Sequence, residues 1–261
     1  MRIATWNVNS VNARLPTVLE WIQAANPDVA CFQEIKCVDE KFPREAFEDL
    51  GYNVETHGQK GFNGVAILSK LPLEDVQRGL PGDDSDEQAR YIEATVVGST
   101  AVRIAGLYLP NGNPAPGPKY DYKLAWMERL RLRAAELLES ELPVVMLGDF
   151  NIIPEPRDAA RPQAWVDDAL FLPQSREAFR RIVNQGWTDA VRIRDPWATR
   201  GPFTFWDYQA GSWSRDDGIR IDHLLLSPQA ADLLVETGID KEARAAEKPS
   251  DHVPVWVRLA A

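Results

Sequence analysis

The sequence predicts an α/β protein, a four-layer sandwich in which two packed mixed β-sheets are flanked by helices. Three observations carry that expectation. Strand-like apolar runs outnumber helical stretches. The helical stretches fall between strand groups in both halves of the 261-residue chain. Polar motifs abut the apolar runs: Trp6-Asn7, Gln33-Glu34, Gly148-Asp149-Phe150-Asn151 and Ser250-Asp251-His252. Polar side chains at strand ends of an α/β sheet gather in the crevice at the sheet edge, where such folds bind ligands.

Taken in order, the expected strands are Ile3–Trp6, Val29–Phe32, Gly64–Ser69, Tyr91–Val97, Val102–Leu109, Val144–Leu147, Thr204–Asp207, Ile219–Leu226 and Val253–Val257. Each is a short apolar or alternating run bounded by turn residues. The first expected helix is Leu15–Ala25, followed by Pro43–Leu50, which stops before Gly51. Tyr122–Glu141 is the clearest helix, with Met127, Leu130, Ala134, Leu137 and Leu138 on one face at helical spacing. Arg176–Gln185 ends before Gly186, and a last helix opens at Ser227-Pro228 and closes at Gly238. Three long loops are expected to form one rim: acidic Gly79–Gln88, Pro/Gly-rich Pro110–Pro118, and aromatic, charged Thr199–Gly218. No repeat and no linker divides the chain, so 1–261 is expected to be a single catalytic domain.

Bulk composition narrows the class less. Hydrophobic content of 44% and charged content of 26% are ordinary for a globular protein. No stretch approaches the roughly 20 apolar residues of a membrane span, and a strand-like start at Arg2–Trp6 leaves no room for a signal peptide. Cys31 and Cys37 form neither a disulfide framework nor a zinc-ligand spacing, so the expected location is the cytoplasm. A net charge of −10 argues against indiscriminate coating of nucleic acid. It leaves a nuclease possible, because a metal ion and a local basic rim can hold a phosphate.

Carboxylates, amides and a single His at strand ends are the donor set of a hard-metal phosphoester hydrolase. The motifs also recur as an ordered set: Trp6-Asn7-Val8-Asn9, Gln33-Glu34-Ile35-Lys36, His57-Gly58-Gln59-Lys60-Gly61, Tyr108-Leu109-Pro110-Asn111-Gly112, Gly148-Asp149-Phe150-Asn151, Arg220-Ile221-Asp222-His223 and Ser250-Asp251-His252. In that order, and over essentially the whole chain, they resemble the exonuclease III branch of the endonuclease/exonuclease/phosphatase family. The resemblance implies a Mg²⁺-dependent enzyme, with Mn²⁺ as a substitute. Its implied reactions are incision of duplex DNA 5′ of abasic sites and trimming of 3′ ends, including blocked ones.

Glu34 is the leading metal ligand, with Asn7 beside it to orient the carboxylate or a bound water. Alone, Glu34 would read as a solvated strand-end carboxylate and Asn7 as a turn residue. Asp149 and Asn151 lie two apart, so extended backbone would turn both to one side. They are candidates for taking a proton from water, donating to a phosphate oxygen and binding metal. A plain Asp-Asn turn is the bland alternative. The resemblance pairs His252 with Asp222, a carboxylate that would hold the ring cationic or fix its tautomer. His252 is then a charge stabiliser as well as a metal-site residue, and Asp251 a further metal or water-orienting carboxylate. Tyr108 ends a strand, and its hydroxyl is expected at the scissile phosphate; as an interfacial core tyrosine it would need no such role. Phe205, Ile219 and Ile221 resemble the family's apolar pocket for a flipped abasic sugar, with alternation favouring Phe205 over Trp206.

His57, Lys60, Arg90 and Lys119 are candidate DNA-backbone contacts, each competing with a solvated surface role. His223 is expected to be structural. A monomer acting on duplex DNA is expected. Two other readings stay open. One is a same-fold phosphohydrolase on another phosphoester, disfavoured by Tyr108. The other is a catalytically dead nucleic-acid-binding regulator, disfavoured by intact Glu34, Asp149, Asn151, Asp222 and His252.

Overall fold

The computed structural model describes residues 1–261. Strand β1 (Arg2–Asn7) leads through helix α1 (Leu15–Ala25) to β2 (Val29–Gln33). Helix α2 (Arg44–Glu48) precedes β3 (Asn53–His57), β4 (Val65–Ser69), β5 (Leu73–Arg78), β6 (Tyr91–Val96) and β7 (Val102–Tyr108). Helix α3 (Pro118–Glu139) is followed by β8 (Val144–Asp149), α4 (Pro173–Val183), the two-residue β9 (Thr188–Asp189) and α5 (Ala190–Arg194). The chain finishes with β10 (Asp222–Leu226), α6 (Pro228–Asp232), β11 (Leu234–Ile239) and β12 (Val255–Leu259).

These strands form two six-stranded sheets, ordered β11-β12-β1-β2-β4-β3 and β5-β6-β7-β8-β10-β9. Each contains one parallel pair, β1–β2 and β7–β8, among antiparallel neighbours. Both sheets are therefore mixed. Period-two alternation sorts the side chains into layers. Ile3, Val29, Cys31, Ile67 and Val257 of the first sheet pack against Ile104, Val145, Leu147 and Leu224 of the second. The intervening Ala4, Trp6, Ala30 and Phe32 face outward onto Val18, Trp21 and Ile22 of α1. On the far side, Ala105, Leu107 and Met146 meet Trp126, Met127 and Leu130 of α3 and Phe179 and Ile182 of α4. That is the helix–sheet–sheet–helix order expected.

The topology explains the strand-end motifs. A parallel pair carries both C-terminal ends to the same edge, and an antiparallel neighbour brings its N-terminal end there. Asn7 lies opposite Gln33 at the end of β1–β2, and Tyr108 opposite Asp149 at the end of β7–β8. Asp222 opens β10 opposite Asp149. His252 precedes β12, whose first residue, Val255, pairs with Thr5.

Several expectations require correction. Thr204–Asp207 is not a strand: Phe205 makes only isolated bridges to Ile219 and His252. The run expected to begin at Ile219 joins its ladder only at Asp222. The last strand starts at Val255 rather than Val253, because Pro254 has no N–H to give and Val253 N turns to Thr204 O. The helix opening at Ser227-Pro228 is real but ends at Asp232, and Leu234–Ile239 becomes a strand paired with β12. Gly238 therefore closes no helix; any side chain there would run into the Trp256 ring across the ladder. Helices α3 and α4 begin at Pro118 and Pro173, a few residues earlier than expected, each prolines's fixed φ suiting a first turn. The strands β3, β5 and β9 and helix α5 had no expectation, being short, polar or at sheet edges. Loop Gly79–Gln88 packs on α3, where Arg129 bonds Pro81 O at 3.2 Å and Asp86 Oδ2 at 2.7 Å. No helix is long and apolar enough to cross a membrane.

Candidate active site

The site sits where the two sheet edges meet. Asn7, fully buried, donates its amide nitrogen to Glu34 Oε1 at 2.8 Å and to Asp149 Oδ2 at 2.9 Å, tying β1–β2 to β8. Carboxylates accept only, so Asn7 turns its nitrogen to them and its oxygen to Asn9 N, 3.0 Å away. Asn7 thus bridges the Glu34 and Asp149 carboxylates. Glu34 has φ of 51°, a left-handed conformation uncommon for a residue with a side chain, and so does Lys36 at 54°. Backbone bonds from Ser10 N to Glu34 O and from Ile35 N to Gly64 O hold this turn. Lys36 Nζ reaches Glu34 Oε2 at 3.0 Å and Asn9 Oδ1 at 2.6 Å. Burial would raise the Glu34 pKa, but the Asn7 amide and the Lys36 ammonium outweigh it and hold the group below its usual value.

Asp149 is 1% exposed. Gly148 precedes it because β7 comes so close that any side chain would overlap the Leu107 carbonyl. Asp149 Oδ1 accepts from Asn151 N at 2.9 Å, and Asn151 has φ of 46°. The extended backbone expected here is absent. A turn closed by the Asp149 side chain brings the two groups to the same cavity instead. Asn151 Nδ2 donates to Leu109 O at 2.8 Å.

His252 Nδ1 lies 2.9 Å from Asp222 Oδ2, and His252 Nε2 points towards Asp149 Oδ2 at 3.6 Å. Asp222 is fully buried and also accepts from Thr204 Oγ1 at 2.6 Å. Burial disfavours a charged ring, yet the Asp222 and Asp149 carboxylates prevail and raise His252 to about 10. Burial pushes Asp149 up to about 7 against the pull of His252, with Asp222 adding to the rise. Near pH 8 the pair is a carboxylate beside an imidazolium. Asp149, Asp222 and His252 have ligand atoms within 4.8 Å of one another, a spacing that could hold a metal ion.

Around these groups lies a cavity of about 260 Å³. Glu34, Asp149, Asn151, Asp251 and His252 form its polar side, with Tyr108 beside them. Asp251 Oδ1 is 3.3 Å from Asn9 Nδ2. Burial, then the Glu34 and Asp149 charges, raise the Tyr108 pKa and keep its phenol protonated. Phe205 meets the His252 ring edge-on at 5.0 Å, and Trp165, Leu170 and Ile221 complete the apolar side; Trp206 is buried elsewhere, beside Phe203 and Val253. Ile219 does not line this cavity and faces an adjoining one.

His57, Lys60, Arg90 and Lys119 are all outside the cavity wall. Lys60 and Lys119 are exposed, and His57 is half-buried with its pKa lowered by burial. Arg90 is no free surface charge: its guanidinium lies 4.8 Å over the Tyr108 ring and bonds Tyr108 O at 3.2 Å. His223 is fully buried, bonded to Ile152 O at 2.9 Å, and burial lowers it to about 4, as a neutral structural ring.

Sequence reasoning gave no role to Lys123, Asn113, Trp165, Asp168 or Leu170. Lys123 is fully buried and donates to Asn111 O at 3.0 Å and Asn151 O at 2.6 Å, joining two loops of the cavity. Its signal was present: Lys123 occupies a core position of α3, in step with Tyr120, Met127 and Leu130. The others lie in irregular segments with no periodicity to read.

The profile of the Endonuclease/Exonuclease/phosphatase family matches residues 4–252. The chain belongs to this family. Exodeoxyribonuclease III of Haemophilus influenzae is 34% identical over 270 aligned positions, covering 99% of this chain and all of the relative. A solved AP endonuclease from Archaeoglobus fulgidus superposes with a TM-score of 0.94 at 37% identity, over 100% of both chains. The 3′ phosphatase NExo from Neisseria, solved with a product DNA hairpin, gives 0.95 at 37% identity, also over 100% of both.

Proposed function

We propose that this member of the family is a divalent-metal-dependent DNA phosphodiesterase that incises duplex DNA 5′ of abasic sites and removes nucleotides or blocking groups from 3′ ends. The observation that carries the reading is the Asp149–His252 pair, backed by buried Asp222 and facing one cavity with Glu34, Phe205 and Ile221. Relatives that cut or trim DNA along the full length of the chain support it. The donor set fits a hard cation. Glu34, Asp149 and Asp251 offer oxygens to one cavity, whereas zinc would favour neutral His or thiolate, and both cysteines are buried elsewhere. In this reading Glu34 is the principal ligand of Mg²⁺ or Mn²⁺, with Asp149 and Asp251 nearest to share it. Asn151 and the protonated His252 act on substrate instead. A bound cation would supply Lewis-acid charge to the phosphate oxygens.

The chain's own residues supply the remaining chemistry. Asp149, once ionised, takes the proton of the attacking water. The His252 imidazolium, held by Asp222, stabilises negative charge growing on the phosphate. Tyr108, kept protonated, offers a hydroxyl hydrogen to the same group. One hydrogen of the Asn151 amide is engaged by Leu109 O, leaving its second for a phosphate oxygen. Duplex DNA is the partner in this reading, a monomer the working unit and the cytoplasm the site of action, where free, buried Cys31 and Cys37 are at home.

The test is incision of a duplex containing one abasic site, with Mg²⁺ and after metal removal with EDTA. Cleavage 5′ of the site that needs Mg²⁺ or Mn²⁺, and a Glu34→Gln protein slowed by orders of magnitude but partly rescued by more metal, are expected. Undiminished cleavage in excess EDTA would sink the proposal.

A further inference from the structure

The catalytic cavity has a neighbour. A second cavity, of about 380 Å³, opens between Arg161, Asp207, Gln209 and Ile219, and the two share Trp165, Asp168 and Phe205. The shared side chains are the partition between them. Trp165 closes the short turn Pro162–Trp165 and packs, half-buried, against the apolar cluster that includes Leu170, Ile219 and Ile221. Its segment is pinned from the opposite loop, where Asn113 donates to Asp168 Oδ1 at 3.0 Å and accepts from Ala169 N at 3.0 Å. Phe205 is pinned by paired backbone bonds with Ile219, 3.0 Å each. The backbone that carries Phe205, and the segment just after Trp165, are therefore fixed on both sides of the shared wall.

We infer that Trp165 is a specificity-determining residue, the wall that confines the catalytic cavity to a sugar without a base. The inference rests on the abasic-site reading above. A bare sugar needs only the catalytic cavity. A nucleotide brought in with its base needs room for a planar ring, and the adjoining cavity, larger than the catalytic one, is the space next to hand. With the indole in place that space is closed off; with a small side chain the two cavities become one. Truncation should therefore add a substrate rather than merely remove one, which is the mark of a selective wall rather than a scaffold. A single extra or missing methylene in an apolar pocket is worth about 10- to 200-fold, and an indole removed from the wall should reach at least the lower end of that range.

The experiment compares kcat/KM on matched duplexes, abasic or intact at one position, for the wild type, Trp165→Ala, Trp165→Leu and Trp165→Phe, with thermal unfolding of each. For Trp165→Ala the expected result is an abasic-to-intact ratio lowered by at least about 10-fold, mainly through faster cutting of the intact duplex. Trp165→Phe should stay near the wild-type ratio. Trp165→Leu, which keeps apolar contact but not width, should fall between and stands in if the alanine protein does not fold. A ratio unchanged in both truncations, or equal losses on both duplexes, overturns the partition. A wild type with no preference for the abasic duplex overturns the functional reading instead, and this inference with it.

Discussion

With His252 raised to about 10 and Asp149 to about 7, the form of the pair that the proposed mechanism uses carries one proton, on the ring. Activity should rise as pH passes about 7, where Asp149 ionises, and fall as pH passes about 10, where His252 loses its proton. Higher metal concentration should move the acid limb down, since a nearby cation favours the carboxylate. Asp222→Asn removes the charge that holds the ring cationic, so the alkaline limb should shift to lower pH and kcat should fall by about 10²–10³. If Asp222 acts only through His252, the double mutant with His252→Asn should be no slower than His252→Asn alone. The pH profiles of kcat for the wild type, the two single mutants and the double mutant decide; an unmoved alkaline limb in Asp222→Asn would refute the pairing. These residues were legible because each sits in a short motif at a strand end. Trp165 was not, because nothing among its sequence neighbours explains it; for Lys123 the core position on α3 could be read but its partners could not. Lys123 earns its burial only from the Asn111 and Asn151 carbonyls, and Trp165 from two cavities that exist only once the loops have packed.

At the scale of elements, central strands were readable and edges were not. β1, β2, β7 and β8 are nearly all buried and read as continuous apolar runs. β3 and β5 alternate with polar residues, and β5 pairs with β6 alone at a sheet edge. Gly238 illustrates how one residue type carries two meanings. Beside Ser227-Pro228 it reads as a helix stop, but its requirement comes from the Trp256 ring on the neighbouring strand. Gly238→Ala should therefore destabilise the protein by about 1–3 kcal/mol, as overpacking does. Activity per folded molecule should stay near normal, because β11 is an edge strand of its sheet and carries no residue of the cavity. Denaturant unfolding with a parallel activity titration checks both halves. A specific-activity loss without a stability change would mean that β11 communicates with the site.

For the whole molecule, a net charge of −10 has to be reconciled with the proposed duplex DNA substrate. Much of the positive charge is already spent inside the protein: Arg220 is buried between Asp158 and Asp189, and Arg129 is fastened to Asp86. Exposed cations such as Lys60, in the turn after β3, are what remains for phosphates. Lys60→Ala should weaken binding uniformly across sequences and reduce the salt slope of affinity by roughly 1. An identical slope, measured by titration at several salt concentrations, would remove Lys60 from the interface. The join between β1 and β12 has a consequence in time. Trp6 Nε1 bonds the His252 carbonyl across 246 positions of chain, and β12 occupies the place beside β1 that nothing made earlier fills. During synthesis β1 therefore has β2 beside it but lacks its other neighbour until β12 emerges. If His252 acts as proposed, a nascent polypeptide is disarmed until the segment that carries this imidazole has emerged.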